Sequence, residues 1–125
     1  MKKINNITGT LEEIRKNPNC PEWLKSKDIK VKDETITINS NDQVIWRRGI
    51  WKDGIWHNGT WKDGIWNNGT WEYGIWENGS WYNGTWKDGT WKDGIWHNGT
   101  WKDGIWENGI WYNGIWRRGI WKDGK

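Results

Sequence analysis

From residue 46 onward the chain has one repeating pattern. Trp recurs every fifth residue, from Trp46 through Trp51, Trp56 and Trp61 to Trp121, and a Gly follows each Trp three positions later, from Gly49 to Gly124. The unit is Trp-x-[Asp/Asn]-Gly-[Ile/Thr], present sixteen times, with Asp or Asn before the Gly in thirteen units. The exceptions are Arg48, Tyr73 and Arg118. A five-residue period matches neither the helical 3.6 nor a long strand of period two. Asp-Gly and Asn-Gly mark turns. The pattern therefore predicts a turn every five residues with about three extended residues between turns.

Two all-β architectures satisfy it. One is an antiparallel meander with a Trp ladder, in which Trp76-Glu77-Asn78-Gly79-Ser80-Trp81 reads as a hairpin. A two-residue hairpin needs the residues flanking its turn to bond each other. In Ile55-Trp56-His57, the two outer residues point their backbone groups to the same side, so a three-residue strand cannot serve such hairpins at both ends. The other is a β-solenoid, where each unit forms one side of a coil and pairing runs from coil to coil. It is the leading reading, with four units in a square coil of 20 residues and about four coils over residues 46–125. Period two then turns Gly and Trp inward as a small-plus-large pair. Ile or Thr, and the residue after Trp, face outward.

A 20-residue offset gives acceptable outer columns: Lys52, Glu72 and Lys92; His57, Glu77 and His97; Lys87 on Glu107; Asn58, Asn78 and Asn98; Ile55, Ile75, Ile95 and Ile115. Opposite charges then stack, as pairing favours. Asn83 separates Asp63 from Asp103, and one fault remains, Asp103 on Asp123. Other offsets also occur. The stretch Trp51–Trp66 recurs verbatim at Trp91–Trp106, the Trp46–Gly54 block begins again at Trp116, and Ile and Thr units alternate over ten residues. The last feature fits alternating solenoid faces or alternating meander strands.

Residues 1–45 read as a small α+β cap, a short helix plus a β-hairpin, ahead of the array. Thr10-Leu11-Glu12-Glu13 is a capping box that starts a helix running to about Lys16. Asn17-Pro18 ends it. Ile29-Lys30-Val31 and Thr35-Ile36-Thr37-Ile38 alternate as strands joined by a Lys32-Asp33-Glu34 turn. A solenoid's open end is an unpaired sheet edge that needs cover. Trp23 and Leu24 are placed to plug the end of the Trp stack. No comparable cap follows Trp121, which points to a homodimer through the C-terminal end or to protection by Arg117, Arg118, Lys122 and Lys125.

Composition sharpens this. The chain of 125 residues holds 17 Trp and 17 Gly, no Ala or Phe, and only Leu11 and Leu24 as leucines, so a core must be built from Trp with Ile. Disordered chains are poor in aromatics, which excludes that class here. A net charge of +3 neither demands nor excludes an anionic partner. The lone Cys20 excludes an internal disulfide framework. The Met1-Lys2-Lys3-Ile4-Asn5-Asn6 start has no apolar signal region, and no long apolar stretch follows, so the expected location is the cytoplasm of a producing or infected cell.

The array resembles a Trp-rich variant of the pentapeptide-repeat family, found in bacterial and phage genomes. The Trp residues match its central apolar residue, and Gly49, Gly54 and their equivalents match its small inward residue two positions earlier. The position before Trp departs from it, with Ile, Thr or Ser in place of Asp or Asn. The resemblance covers residues 46–125 and implies a right-handed quadrilateral β-helix. It also implies binding rather than catalysis, and in some members end-to-end pairing. Its acidic, DNA-mimicking members are unlike this mildly basic chain.

Catalytic, cofactor and metal sites are not expected. His57 and His97 stand 40 residues apart, the Asp residues follow the turns, and no phosphate loop, Rossmann fingerprint or nucleophile elbow occurs. Cys20 reads as a structural thiol. The expectation is a non-enzymatic protein-binding scaffold, such as a small phage or bacterial host-interaction factor. The alternatives are a glycan- or nucleic-acid-binding module using Trp and Tyr faces, and a self-assembling structural protein. The candidate contact surface comprises Arg47, Arg48, Glu72, Tyr73, Tyr82, Tyr112, Arg117 and Arg118.

Overall fold

The structure, a computed structural model, describes residues 6–125. Of the Met1–Asn6 start read above for a leader, all but Asn6 lies outside them. A strand β1 (Ile7–Gly9), a helix α1 (Leu11–Arg15) and a 3-10 turn (Glu22–Lys25) precede two longer strands, β2 (Lys30–Ile38) and β3 (Val44–Asp53). Fourteen two-residue strands follow, β4 (Ile55–Trp56) to β17 (Ile120–Trp121), one per pentapeptide.

The array is a parallel β-solenoid, and its coil has three sides. Trp46 pairs with Trp61, Trp51 with Trp66 and Trp56 with Trp71. The same 15-residue register continues to Trp106 on Trp121. The chain thus makes about five turns, and the expectation of a square 20-residue coil is corrected. Side one carries Trp46, Trp61, Trp76, Trp91, Trp106 and Trp121; side two Trp51, Trp66, Trp81, Trp96 and Trp111; side three Trp56, Trp71, Trp86, Trp101 and Trp116. Beyond the first coil, each unit gives ladder bonds to the coil before it. Lys87 N–H donates to the Trp71 carbonyl at 2.7 Å, and Thr85 N–H to the Gly69 carbonyl at 2.9 Å.

Indole size explains the three sides. Rings from successive sides meet edge to face, with centroids 5.5–6.0 Å apart and planes 68–76° from parallel. Along each side, rings stack within 10° of parallel at 4.7–5.0 Å. Both are preferred aromatic geometries. Three indoles fill the coil interior, and Trp46 through Trp106 have no exposed surface. A fourth side would widen the coil and break these edge contacts. Most buried indole N–H groups lack an acceptor; Trp96 and Trp106 donate to the Asn113 and Asp123 carbonyls at 3.1 Å.

Gly does more than fill space beside Trp. All sixteen array glycines form corners at φ between 100° and 134°, while the preceding Asp and Asn residues keep ordinary backbone. The Asx side chain serves the corner instead, as where Asp63 Oδ1 accepts the Gly64 N–H at 2.8 Å.

The 15-residue register also rearranges the outer columns. Glu72 lies between His57 (2.8 Å) and Lys87 (4.0 Å), and Glu77 faces Lys62 at 3.7 Å. Asp103 meets Arg118 at 3.4 Å, so the clash expected with Asp123 does not arise. The Ile55–Ile75–Ile95–Ile115 and Asn58–Asn78–Asn98 columns do not form. Ile75 sits between Thr60 and Thr90, and Ile95 between Ser80 and Ile110.

The cap covers the first coil. β2 runs antiparallel to β3, setting Ile36 opposite Trp46 and Val31 opposite Trp51. Lys32-Asp33-Glu34 is an irregularity inside this one strand, with Asp33 at φ 56°, and not the hairpin turn that the polar run suggested. β1 pairs with β2 on its other edge. Trp23 closes the third side, edge-on to Trp56 at 5.3 Å. The capping box at Thr10 and Glu13 is formed, and Arg15 ties α1 to the Leu24 carbonyl at 3.0 Å.

Cys20 is buried beneath this turn, its Sγ 3.5 Å from the Pro21 carbonyl. Burial pushes its pKa up, against the opposing pull of Lys25 and Arg15; Glu22 adds to the rise. The folded state therefore holds the thiol proton more tightly than the unfolded state. This contribution to stability is complete below the unfolded thiol's pKa and is lost as pH rises through the folded one. Iodoacetamide at pH 8 should label Cys20 slowly in the native protein and at the rate of a free thiol in urea. Equal rates would contradict its burial.

Candidate binding surface

The eight candidate residues do not form one surface. Arg47 and Arg48 hold the cap: the Nε atoms donate to Thr37 Oγ1 at 2.7 Å and Thr35 Oγ1 at 3.5 Å. Arg117 and Arg118 lie on the last coil, and Arg118 is engaged with Asp103. Glu72 is held between His57 and Lys87 on side three, and Tyr73 occupies the next corner, 55% exposed.

Tyr82 and Tyr112 do come together, through a residue outside those eight. At 15-residue spacing they bracket His97. The Tyr82 and His97 rings stack at 4.3 Å and 1°, and those of His97 and Tyr112 at 5.5 Å and 16°. The outward row beside them on side two is Ser80, Ile95 and Ile110. Side two thus presents an aromatic and apolar strip, with Tyr82, Tyr112 and Ile110 exposed. Side one instead alternates charge along Lys62, Glu77, Lys92, Glu107 and Lys122. Side three places Lys87, Lys102 and Arg117 in a row beside Thr85, Thr100 and Ile115. The signal for His97 was available as the Tyr-His-Tyr recurrence at offset 15, which the assumed offset of 20 hid.

Ring orientation decides what this strip can do. His97 has a tyrosine ring against each face, and among the described residues the ring contacts of Tyr82 and Tyr112 are with His97 alone, on one face each. The core indoles are buried. Only on the last coil does solvent reach them: Trp111 and Trp116 are partly buried and Trp121 is 39% exposed. Among the described residues no cluster of three or more His, Cys, Asp or Glu is placed to hold a metal. No helix among them is long and apolar enough to cross a membrane. Comparison with protein-family models, curated proteins and solved structures returned no match.

Proposed function

We propose that this chain is a non-enzymatic, protein-binding scaffold and that side two is its contact surface. The observation that carries this reading is the Tyr82–His97–Tyr112 column with Ile95 and Ile110 alongside. Tyrosine is enriched at protein interfaces, where a rigid ring supplies apolar area and its hydroxyl a hydrogen bond. The coil ladder holds the column in place before binding, which lowers the ordering cost of association. Binding of sugars or single-stranded nucleic acid by stacking needs free ring faces. In this column both faces of His97 and one face of each tyrosine are taken by a neighbouring ring, which favours a protein partner over those ligands.

The five-residue period and the parallel solenoid support kinship with pentapeptide-repeat proteins; the three-sided coil is this chain's departure from their quadrilateral form. On that kinship the chain is a small bacterial or phage factor directed at a host protein in the cytoplasm.

The test is a pull-down from nuclease-treated bacterial lysate with three baits: the native chain, Tyr82→Lys/Tyr112→Lys, and Lys102→Glu on side three. A near-stoichiometric protein should be retained by the native chain and by Lys102→Glu, and lost by the double variant. A partner held equally by all three, or none from lysates of several hosts, would overturn the reading.

A further inference from the structure

A half-open cavity of about 390 Å³ lies where the cap meets the corner between sides three and one. Trp23 lines it from the cap, Gln43 from the loop before β3, and Asn58 and Tyr73 from successive corners. Thr60, Ile75 and Thr90, register partners on three successive coils of side one, carry it along the solenoid axis.

Tyr73 is the reason to assign this cavity a ligand. Three units break the Asp/Asn rule before Gly. Arg48 and Arg118 each have an internal partner, Thr35 and Asp103. Tyr73 gives up the Asx contact that other corners make with their Gly N–H, as at Asn58 and Asp63. It stands 55% exposed, with no hydrogen bond or ring contact to any described residue. Trp23 is a second aromatic in the lining, fixed by Trp56 at 5.3 Å and His57 at 5.6 Å.

The hydrogen-bonding groups select the ligand. Asn58 Oδ1 already accepts the Gly59 N–H at 2.8 Å. Asn39 Oδ1 accepts the N–H groups of Asn41 and Gln43, so the Asn39 amide nitrogen is a donor, and it occupies Gln43 Oε1 at 2.9 Å. Both lining amides therefore have their oxygens taken and their NH2 groups without a partner among the described residues. The Tyr73 hydroxyl adds a third donor. Among the described residues no Lys, Arg or His lines the cavity, and its one carboxylate, Asp42, is already engaged within the molecule. An uncharged ligand with apolar rings, and with acceptors in place of donors, satisfies this lining. Proline-rich chain is such a ligand: its residues lack N–H groups, and its polyproline II backbone leaves the carbonyls unbonded. Aromatic-lined grooves take such segments. The length agrees as well. Thr60 to Thr90 is two coil steps, roughly 9.6 Å at ordinary strand spacing, and one polyproline II turn rises about 9.3 Å. We propose that the cavity binds a proline-rich segment of a partner, with its rings against Trp23 and Tyr73 and its carbonyls on the Asn58 and Gln43 amides. A sugar brings hydroxyl donors for which the amide oxygens are already taken, and is the competing class.

The experiment is an NMR titration of the full chain with acetyl-hexaproline amide, following the Trp23 indole N–H and the Gly59 and Gly74 amides. An acetyl-(Ser-Gly)3 amide of equal length and cellohexaose are the comparison probes. Tyr73→Asn and Asn58→Asp both put the repeat's own corner residues in place, so both variants should fold. The second keeps an oxygen for the Gly59 N–H, as Asp63 does for Gly64, and removes the donor. Saturable shifts confined to this corner are expected with hexaproline alone, and each variant should weaken binding about tenfold. Shifts that are absent, spread over the molecule, matched by either comparison probe, or unchanged in either variant would overturn the proposal. The site does not rest on the side-two reading, and purified components keep the two tests separate.

Discussion

Replacing Gly84 with Ala should cost several kcal/mol and melt the C-terminal coils before the rest. Gly84 sits at φ 120°, where a side chain is strained at about 1–3 kcal/mol. The added Cβ would also press into the backbone carbonyl of Gly69, directly beneath it in the previous coil. That carbonyl accepts the Thr85 N–H at 2.9 Å, so it cannot retreat without opening the ladder. Where the backbone suits both residues, Gly to Ala instead stabilises by about 0.4–1 kcal/mol. Repeat arrays are held by neighbour contacts, so a mid-array break uncouples the two halves. The half bearing the cap should outlast the other. Thermal melts followed by near-ultraviolet circular dichroism should show a midpoint lowered by roughly 10 °C or more, or two transitions. A native-like melt would contradict the corner geometry. Asn83→Asp, one residue earlier, should change little.

Trp86→Ala should be comparably severe. Trp86 is fully buried, stacked on Trp71 at 4.7 Å and Trp101 at 4.8 Å, with Trp81 and Trp91 edge-on at 5.9 and 5.8 Å. Truncating a buried Trp costs about 3–5 kcal/mol through lost burial and the cavity left behind. Backbone on all three sides is tied into ladders, so the void cannot collapse. Trp121→Ala removes a ring that is 39% exposed and should cost well under half as much. Urea unfolding of the two variants checks the gradient. Equal losses would mean that the indoles are not packed as one continuous core.

Much of this was legible in the chain. The unbroken Trp period and the Gly at each turn specify a solenoid with a Trp interior. Thr10 and Glu13 specify the start of helix α1. The number of sides was harder to read, because Lys and Glu are frequent enough at the position after Trp to pair at either offset. The discriminating residues were fewer: Asp103, which clashes with Asp123 at offset 20 but meets Arg118 at offset 15, and Tyr82, His97 and Tyr112, which align only at 15. The hairpin expected at Lys32-Asp33-Glu34 failed for another reason. Polar residues there suggest a turn, but β3 pairs on both sides of them and absorbs the irregularity within one strand.

The most direct test of the three-sided coil is cross-linking of paired cysteines in a Cys20→Ser background with a short bis-alkylating reagent. Thr85→Cys with Thr100→Cys joins neighbours in the 15-residue register, and Ser80→Cys with Thr100→Cys probes the 20-residue one. Rapid intramolecular cross-linking of the 85/100 pair, with little for 80/100, is the expected result. Efficient cross-linking of 80/100 with failure of 85/100 would contradict the three-sided coil and restore the square one.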